Sequence, residues 1–344
     1  MSSNPDTPQR VPGLWFSDGN IVIQAGKSQY RVFHGILAAR SEIFRDMLAI
    51  PQPERDVAEL VDGCPLVQLP DDESDATAFL NAIYNPGSFP SFPNAVDINA
   101  VLGCLLLARK YEVDDIRRRA LSHLSSGHPT TLSGTQRLAA SDASLFEKCS
   151  YTRTASEPPP EMTLIRIISV ARIVSADWIL PYAFYRFASQ SESITGAMVL
   201  LATSGSKSSP SSVETEVSCR GIDTMTHAIV SGVLNAFWDP IQVPNCADRF
   251  RCLEGRNRLA SFAQHKMKKS VKVTDLAFFP SSLLDGPAVT ASGVVCRQCA
   301  DALKAARGVA LAKFWTDLPG FFGLAEWAEL EVMKAEAIGS NIYC

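Results

Sequence analysis

Between Ile21 and Leu48 the hydrophobic period of the chain changes once, and the change falls on a single histidine. IVIQA and YRVF carry β-branched and aromatic side chains on either side of GKSQ, a glycine-containing turn. This predicts a hairpin over residues 17–33. After His34 the apolar residues come as Ile36, Leu37, Ala39, then Ile43, Phe44, Met47 and Leu48, a helical recurrence. Ser41 and Glu42 form a helix-start pair, so the pattern predicts two short helices joined at Arg40–Ser41. A hairpin that hands over directly to a helix pair points to an α+β arrangement, a small sheet with a helical cluster.

The rest of the chain extends that arrangement. VQLP at 67–70 closes a short strand over residues 66–69, stopped by Pro70, and the acidic run DDESD at 71–75 stands before ATAFLNAIY. Negative charge at the first turn favours a helix start there over a metal site. NPGSFPSFPN holds three prolines and a glycine in ten residues, which predicts an irregular loop presenting Phe89 and Phe92. Residues 98–113 are apolar almost all round, the sign of a central buried helix. DDIRRRALSHLSSG opens on two aspartates and closes on Gly127, bracketing another. Residues 125–161 are rich in Ser, Thr, Gly and Pro, so the main boundary is placed there. Helical patterning resumes at residues 162–190, with a break expected at Pro181, and returns near 221–236, 249–265 and 293–314. The expected organisation is a disordered amino terminus at 1–13, a first domain at 14–127, a linker at 128–161 and a mostly α-helical region at 162–344.

Composition narrows the function classes. With 32 Lys+Arg against 36 Asp+Glu the formal charge is -4, so no global positive field points to nucleic acid or an anionic membrane. The longest dense apolar run, VLGCLLLA, falls short of the roughly 18–20 residues needed to span a bilayer. MSSNPDTPQRVPG lacks the charged-then-apolar order of an export signal, and nine cysteines is an odd number. Free thiols in the cytoplasm or nucleus are therefore expected.

SDGNIVIQAG, YRVFHGILAARSEIFRDML, VQLPDDESDATAFLNAIYN and LLLARKYEVDDIRRRALSHL, in that order, resemble a BTB/POZ domain. The resemblance covers residues 14 to about 127. It implies structural roles for Asp18 before the first strand, His34 packed at the strand-to-helix joint, and Ser41 and Phe44 at the turn into the second helix. Residues 179–187, the CRQC at 296–299 and FWTDLPGFFGLAEWAEL at 314–330 are similar to the carboxyl-terminal region of BTB proteins common in mushroom-forming fungi. Gly35 stands where transcription-factor members carry a basic side chain, which departs from their corepressor pocket. The loop at 85–94 lacks the hydrophobic-x-Glu element of cullin-binding members.

Four residues carry the sharpest chemistry outside that resemblance. Cys246-x5-Cys252 and Cys296-x2-Cys299 can together supply four thiolates to a tetrahedral zinc, while thiol-redox chemistry and buried free thiols are the other readings of the same residues. His227 and His265 are substitute ligands, and HKMKKSVK at 265–272 is a short basic cluster of the kind found on solvated surfaces. His34 has no cysteine, serine or acid at a spacing that would make it a catalytic base. The expectation is a non-enzymatic protein-interaction protein that bridges partners through its BTB/POZ module and its helical region, without a catalytic or cofactor site beyond the zinc candidate. Its partners are expected to be proteins, through self-association or a cullin, with no nucleic acid and no membrane. The alternatives are a substrate adaptor of a cullin-type ubiquitin ligase, and a zinc-binding or thiol-redox protein using the four carboxyl-terminal cysteines.

Overall fold

A computed structural model describes residues 8–50, 60–140, 151–152, 160–190, 212–233, 243–269 and 294–339. The fold is mixed, a small curled five-stranded sheet with many helices. It divides into two compact units: residues 1–127 with 143–157 and 336–344, and residues 128–142 with 158–335.

In the first unit β1 (Gln9–Trp15), β2 (Ile21–Ala25), β3 (Ser28–Val32), β4 (Leu60–Val61) and β5 (Cys64–Leu69) form a sheet of order β1-β3-β2-β5-β4. The β2–β3 hairpin is antiparallel, with Ile21 opposite Val32 and Ala25 opposite Ser28. Its loop is therefore shorter than GKSQ: Gly26 takes the positive φ of 55° that the tight turn requires, while Ser28 and Gln29 join the strand. β2 also pairs in parallel with β5, which makes it central. Val22 and Ile23 are both buried, as expected of a strand covered on both faces.

The expected disorder at residues 1–13 does not hold from Gln9 onward. β1 lies on the sheet edge, parallel to β3, with an irregular register between Arg10 and Trp15 that accommodates Pro12 and Gly13. An edge strand tolerates proline because one side of it needs no amide partner. Gln9 donates its amide to the Lys27 carbonyl at 2.7 Å, and Arg10 pairs with Asp62 at 3.0 Å while lying over the Trp15 ring. Residues 1–7 lie outside the described residues.

The helix pair follows at once as α1 (His34–Arg40) and α2 (Glu42–Ala49). The break falls on Ser41, whose extended backbone leaves its hydroxyl free to accept the Phe44 amide at 3.0 Å. The same hydroxyl donates to the Tyr111 carbonyl at 2.5 Å. α3 (Glu73–Tyr84) is capped by Asp72, which accepts from the Ser74 and Asp75 amides, so the acidic run does start a helix. A 3₁₀ turn (Pro86–Ser88) and β6 (Val96–Asp97) lead to α4 (Ile98–Lys110), the buried centre of the unit, and to α5 (Asp114–Ser126), closed by Gly127. α3 and α4 approach closely at Gly103, where a Cβ would fall 2.6 Å from Asp75 Oδ1.

The segment expected to be a linker contains α6 (Leu132–Ala140) and β7 (Tyr151–Thr152), which pairs in parallel with β6. In the second unit α7 (Pro160–Ile173) and α8 (Leu180–Gln190) are separated at Ser175, with φ of 58°, and by a 3₁₀ turn at Asp177–Ile179. Pro181 is not the break: it sits in the first turn of α8, where its missing amide costs nothing. α9 (Ser212–Ala228), α10 (Arg249–Lys269), α11 (Arg297–Phe321) and α12 (Trp327–Ile338) complete the helices described here. Phe184 of α8 stacks on Phe322 with centroids 4.3 Å apart, and Gly221 of α9 admits that ring because it has no Cβ.

Candidate metal centre

Two helix starts bring the carboxyl-terminal cysteines together. Asp248 caps α10 by accepting the Arg251 amide at 3.0 Å, which sets Cys246 in the loop before the helix and Cys252 in its first turn. Asn245, with φ of 64°, turns the chain immediately before Cys246. Cys296 is the N-cap of α11 and Cys299 lies in its first turn. Both pairs thus sit where the partial positive charge of a helix start favours a thiolate.

Contact between the two segments depends on a glycine. A Cβ built on Gly255 of α10 would lie 1.7 Å from the Val294 carbonyl, so only glycine lets the chain before Cys296 rest on the helix. Cys252, Val295, Cys299 and Ala300 form the buried cluster that results, with Val243, Leu259 and Val294 packed around it. Cys252 and Cys299 are 4% and 3% exposed, whereas Cys246 and Cys296 are half-buried.

The four sulfurs all lie within 4.8 Å of one another. Cys246 Sγ is 3.5 Å from Cys299 Sγ and 3.9 Å from Cys296 Sγ. Four thiolates at the usual zinc–sulfur distance of about 2.3 Å on a tetrahedron would be separated by about 3.8 Å. Those two separations bracket that edge length, and the residues present fit a tetrahedral cation. The Cys296 amide donates to Cys252 Sγ at 3.2 Å, a bond that links the segments and favours charge on sulfur.

Thiol electrostatics point the same way. Burial raises the Cys296 pKa, yet the Ala247 and Cys299 amides and the Cys299 and Cys252 thiols outweigh it and hold Cys296 at about 6. Burial pushes the Cys252 and Cys299 thiols up, and the sulfurs crowded around Cys299 push it further. The protein's own amides thus favour one thiolate, and a divalent cation, if bound, would supply the charge that lets the remaining sulfurs ionise with it.

The other sequence-selected residues do not join this centre. His227 is exposed on α9 and is not among the clustered ligands, and the His265 side chain lies outside the described residues. His34 is the first residue of α1, but its ring is exposed, so packing of the imidazole is not what holds the joint. The joint is held instead by Asn20, whose side chain accepts the His34 amide at 2.9 Å, and by Tyr84, whose hydroxyl donates to the Phe33 carbonyl at 2.7 Å. Asp18 is exposed in the turn before β2, while Phe44 is buried and stacks on Tyr111 with centroids 4.3 Å apart.

Phe89 is not a partner contact: it is 1% exposed. Its loop is pinned to α5, since Arg119 donates to the Phe89 carbonyl at 2.7 Å and the His123 ring bonds to the Pro90 carbonyl at 2.8 Å. Phe92 is half-buried, 6.5 Å from the His123 ring. Sequence reasoning missed Gly255, Asp248 and Asn20. Two of these left a signal: Asp248, an N-cap residue type directly before the helical pattern at 249–265, and Gly255, an isolated glycine in that pattern three residues after a cysteine.

A mixed α/β chain with a small curled sheet and a four-cysteine cluster able to hold a metal ion is what fold and site together define. Comparison with family models, curated proteins and solved structures finds no match. Among the described residues no helix is long and apolar enough to cross a membrane.

Proposed function

We propose that the chain is a non-enzymatic protein-interaction protein, with a BTB/POZ-type module in its first unit and a helical region organised by one zinc ion on Cys246, Cys252, Cys296 and Cys299. The observation that carries the interaction reading is the element order of residues 21–126: hairpin, helix pair broken at Ser41, strand returning in parallel to β2, then α3, α4 and α5. Ile36, Ile43 and Ile50, on and just after the helix pair, are 41%, 39% and 62% exposed, and α1 and α2 are the surface through which we propose self-association. Light scattering on the full chain tests this. A dimer that Ile36→Glu with Ile43→Glu converts to monomer supports it, and a monomer at every concentration overturns self-association. Cullin recruitment draws no support from the loop at 85–94, whose Phe89 is buried.

The metal reading rests on four sulfurs within 4.8 Å, one of them bonded to an amide of the other segment. Zinc, a closed-shell ion at home in four-thiolate sites, would serve structure there: four protein ligands leave no open position for substrate. Elemental analysis of the purified chain should find one zinc per chain, lost in Cys252→Ser. A chain without metal after reconstitution in excess zinc overturns this reading.

A further inference from the structure

Resting on the zinc reading of that cluster, we infer that Cys246 is a thiol-modification site, oxidised by peroxide and closed by Cys299 into a Cys246–Cys299 disulfide that expels the metal. Solvent reaches Cys246, which is half-buried, but barely reaches Cys252 and Cys299. Cys296 is also half-buried, yet it is the N-cap of α11, and that helix start fixes its backbone. Cys246 stands in an irregular loop behind Asn245 and is anchored by no helix of its own. It neighbours both sulfurs of the other segment, and the closer is Cys299 at 3.5 Å. A disulfide needs the sulfurs at about 2.05 Å, and a loop residue can make that approach while Cys296 and Cys299 remain fixed in one helix start.

The chemistry balances with hydrogen peroxide as oxidant. The Cys246 thiolate attacks one peroxide oxygen, the O–O bond breaks, and a sulfenic acid and hydroxide result. The Cys299 thiolate then attacks the sulfenyl sulfur, an S–S bond forms, the S–O bond breaks, and a second hydroxide leaves. Two electrons pass from the two sulfurs to the peroxide, and the hydroxides take protons from solvent to become two waters. Zinc departs as the dication because Cys252 and Cys296 alone do not complete a tetrahedron, and their thiolates take up protons.

The cluster can be mapped sulfur by sulfur, because Arg249, Arg251 and Arg297 place each cysteine in its own tryptic peptide. Zinc-loaded full-length protein is treated with one equivalent of hydrogen peroxide, released zinc is read with a chromogenic chelator, and the blocked digest is read by mass spectrometry. The expected result is one zinc released per disulfide, with the Cys246 and Cys299 peptides joined. In a parallel sample given limiting iodoacetamide, Cys246 should be alkylated before the other three. A major Cys296–Cys299 or Cys246–Cys252 disulfide, or zinc retained through the oxidation, overturns the inference and leaves the zinc reading standing. Absence of zinc at the start, measured before peroxide is added, overturns both.

Discussion

Around α4 the first unit buries Ile98, Val101, Leu102, Cys104, Leu105 and Ala108, while between α10 and α11 the described residues give a buried cluster of Cys252, Val295, Cys299 and Ala300, with Val243, Leu259 and Val294 against it. The first region is held by a backbone ladder through β2 and by helices packed on one another. The second brings together segments separated by 44 residues across a handful of small side chains, two of which are themselves metal-ligand candidates. So few small apolar side chains among the described residues offset little of the entropy of closing that segment. Where the core is small, a cation held by the four thiolates would do the work of a core.

Metal removal is the sharpest way to break this comparison. Structural zinc is worth about 10–16 kcal/mol in small zinc-dependent folds, so a strong chelator should abolish the order of the second region and leave the first intact. Hydrogen exchange followed by mass spectrometry checks this: protection should vanish in peptides covering residues 249–259 and 296–303 and persist in residues 21–32 and 98–126. Uniform protection after chelation would mean that the apolar cluster suffices alone.

Gly255→Ala attacks the same region without touching a sulfur. Its Cβ would meet a backbone carbonyl at 1.7 Å, and a carbonyl cannot rotate away as a side chain can, so α10 and the chain before Cys296 must part. The expected cost is about 3 kcal/mol or more, read as weaker zinc retention in a chelator competition. Gly103→Ala is the counterpart in the first unit. There the nearest atoms belong to Asp75, at 2.6 Å from Oδ1 and 2.9 Å from Cα, so the expected loss is about 1–3 kcal/mol in chemical denaturation, with zinc retention unchanged.

How far these contrasts could be read beforehand follows from what each depends on. The hairpin and the break at Ser41 were legible because local chemistry decides them: β-branched runs around a glycine, and a serine before a glutamate. The strand at Gln9–Trp15 was hidden because Pro12 and Gly13 argue against a strand unless it lies on an edge, and only the partners Lys27 and Asp62 put it there. α6 was missed because its Ser, Thr and Gly content resembles a linker. The four cysteines were visible as candidates, yet their convergence depends on Gly255, whose role exists only once α10 and Val294 meet. Phe89 was misjudged because its burial is decided by Arg119 and His123, thirty and more residues away.

Ser41→Ala gives the smallest effect and tests whether polar joints or packing hold the first unit. The hydroxyl accepts one amide at the start of α2 and donates to one carbonyl at the end of α4, and Ser41 is 2% exposed, so water does not replace either bond fully. Loss of the cap alone costs about 1 kcal/mol, and the buried carbonyl left without its donor adds a similar amount. The expected total is about 1–2 kcal/mol in urea denaturation of the full chain. Phe44, stacked on Tyr111 just beyond the same serine, keeps α2 against α4 through packing, so the fold should survive. A loss well above that range would mean that the serine and not the aromatic stack fixes α2, and the contrast between a packed first unit and a second region proposed to rest on a metal would weaken accordingly.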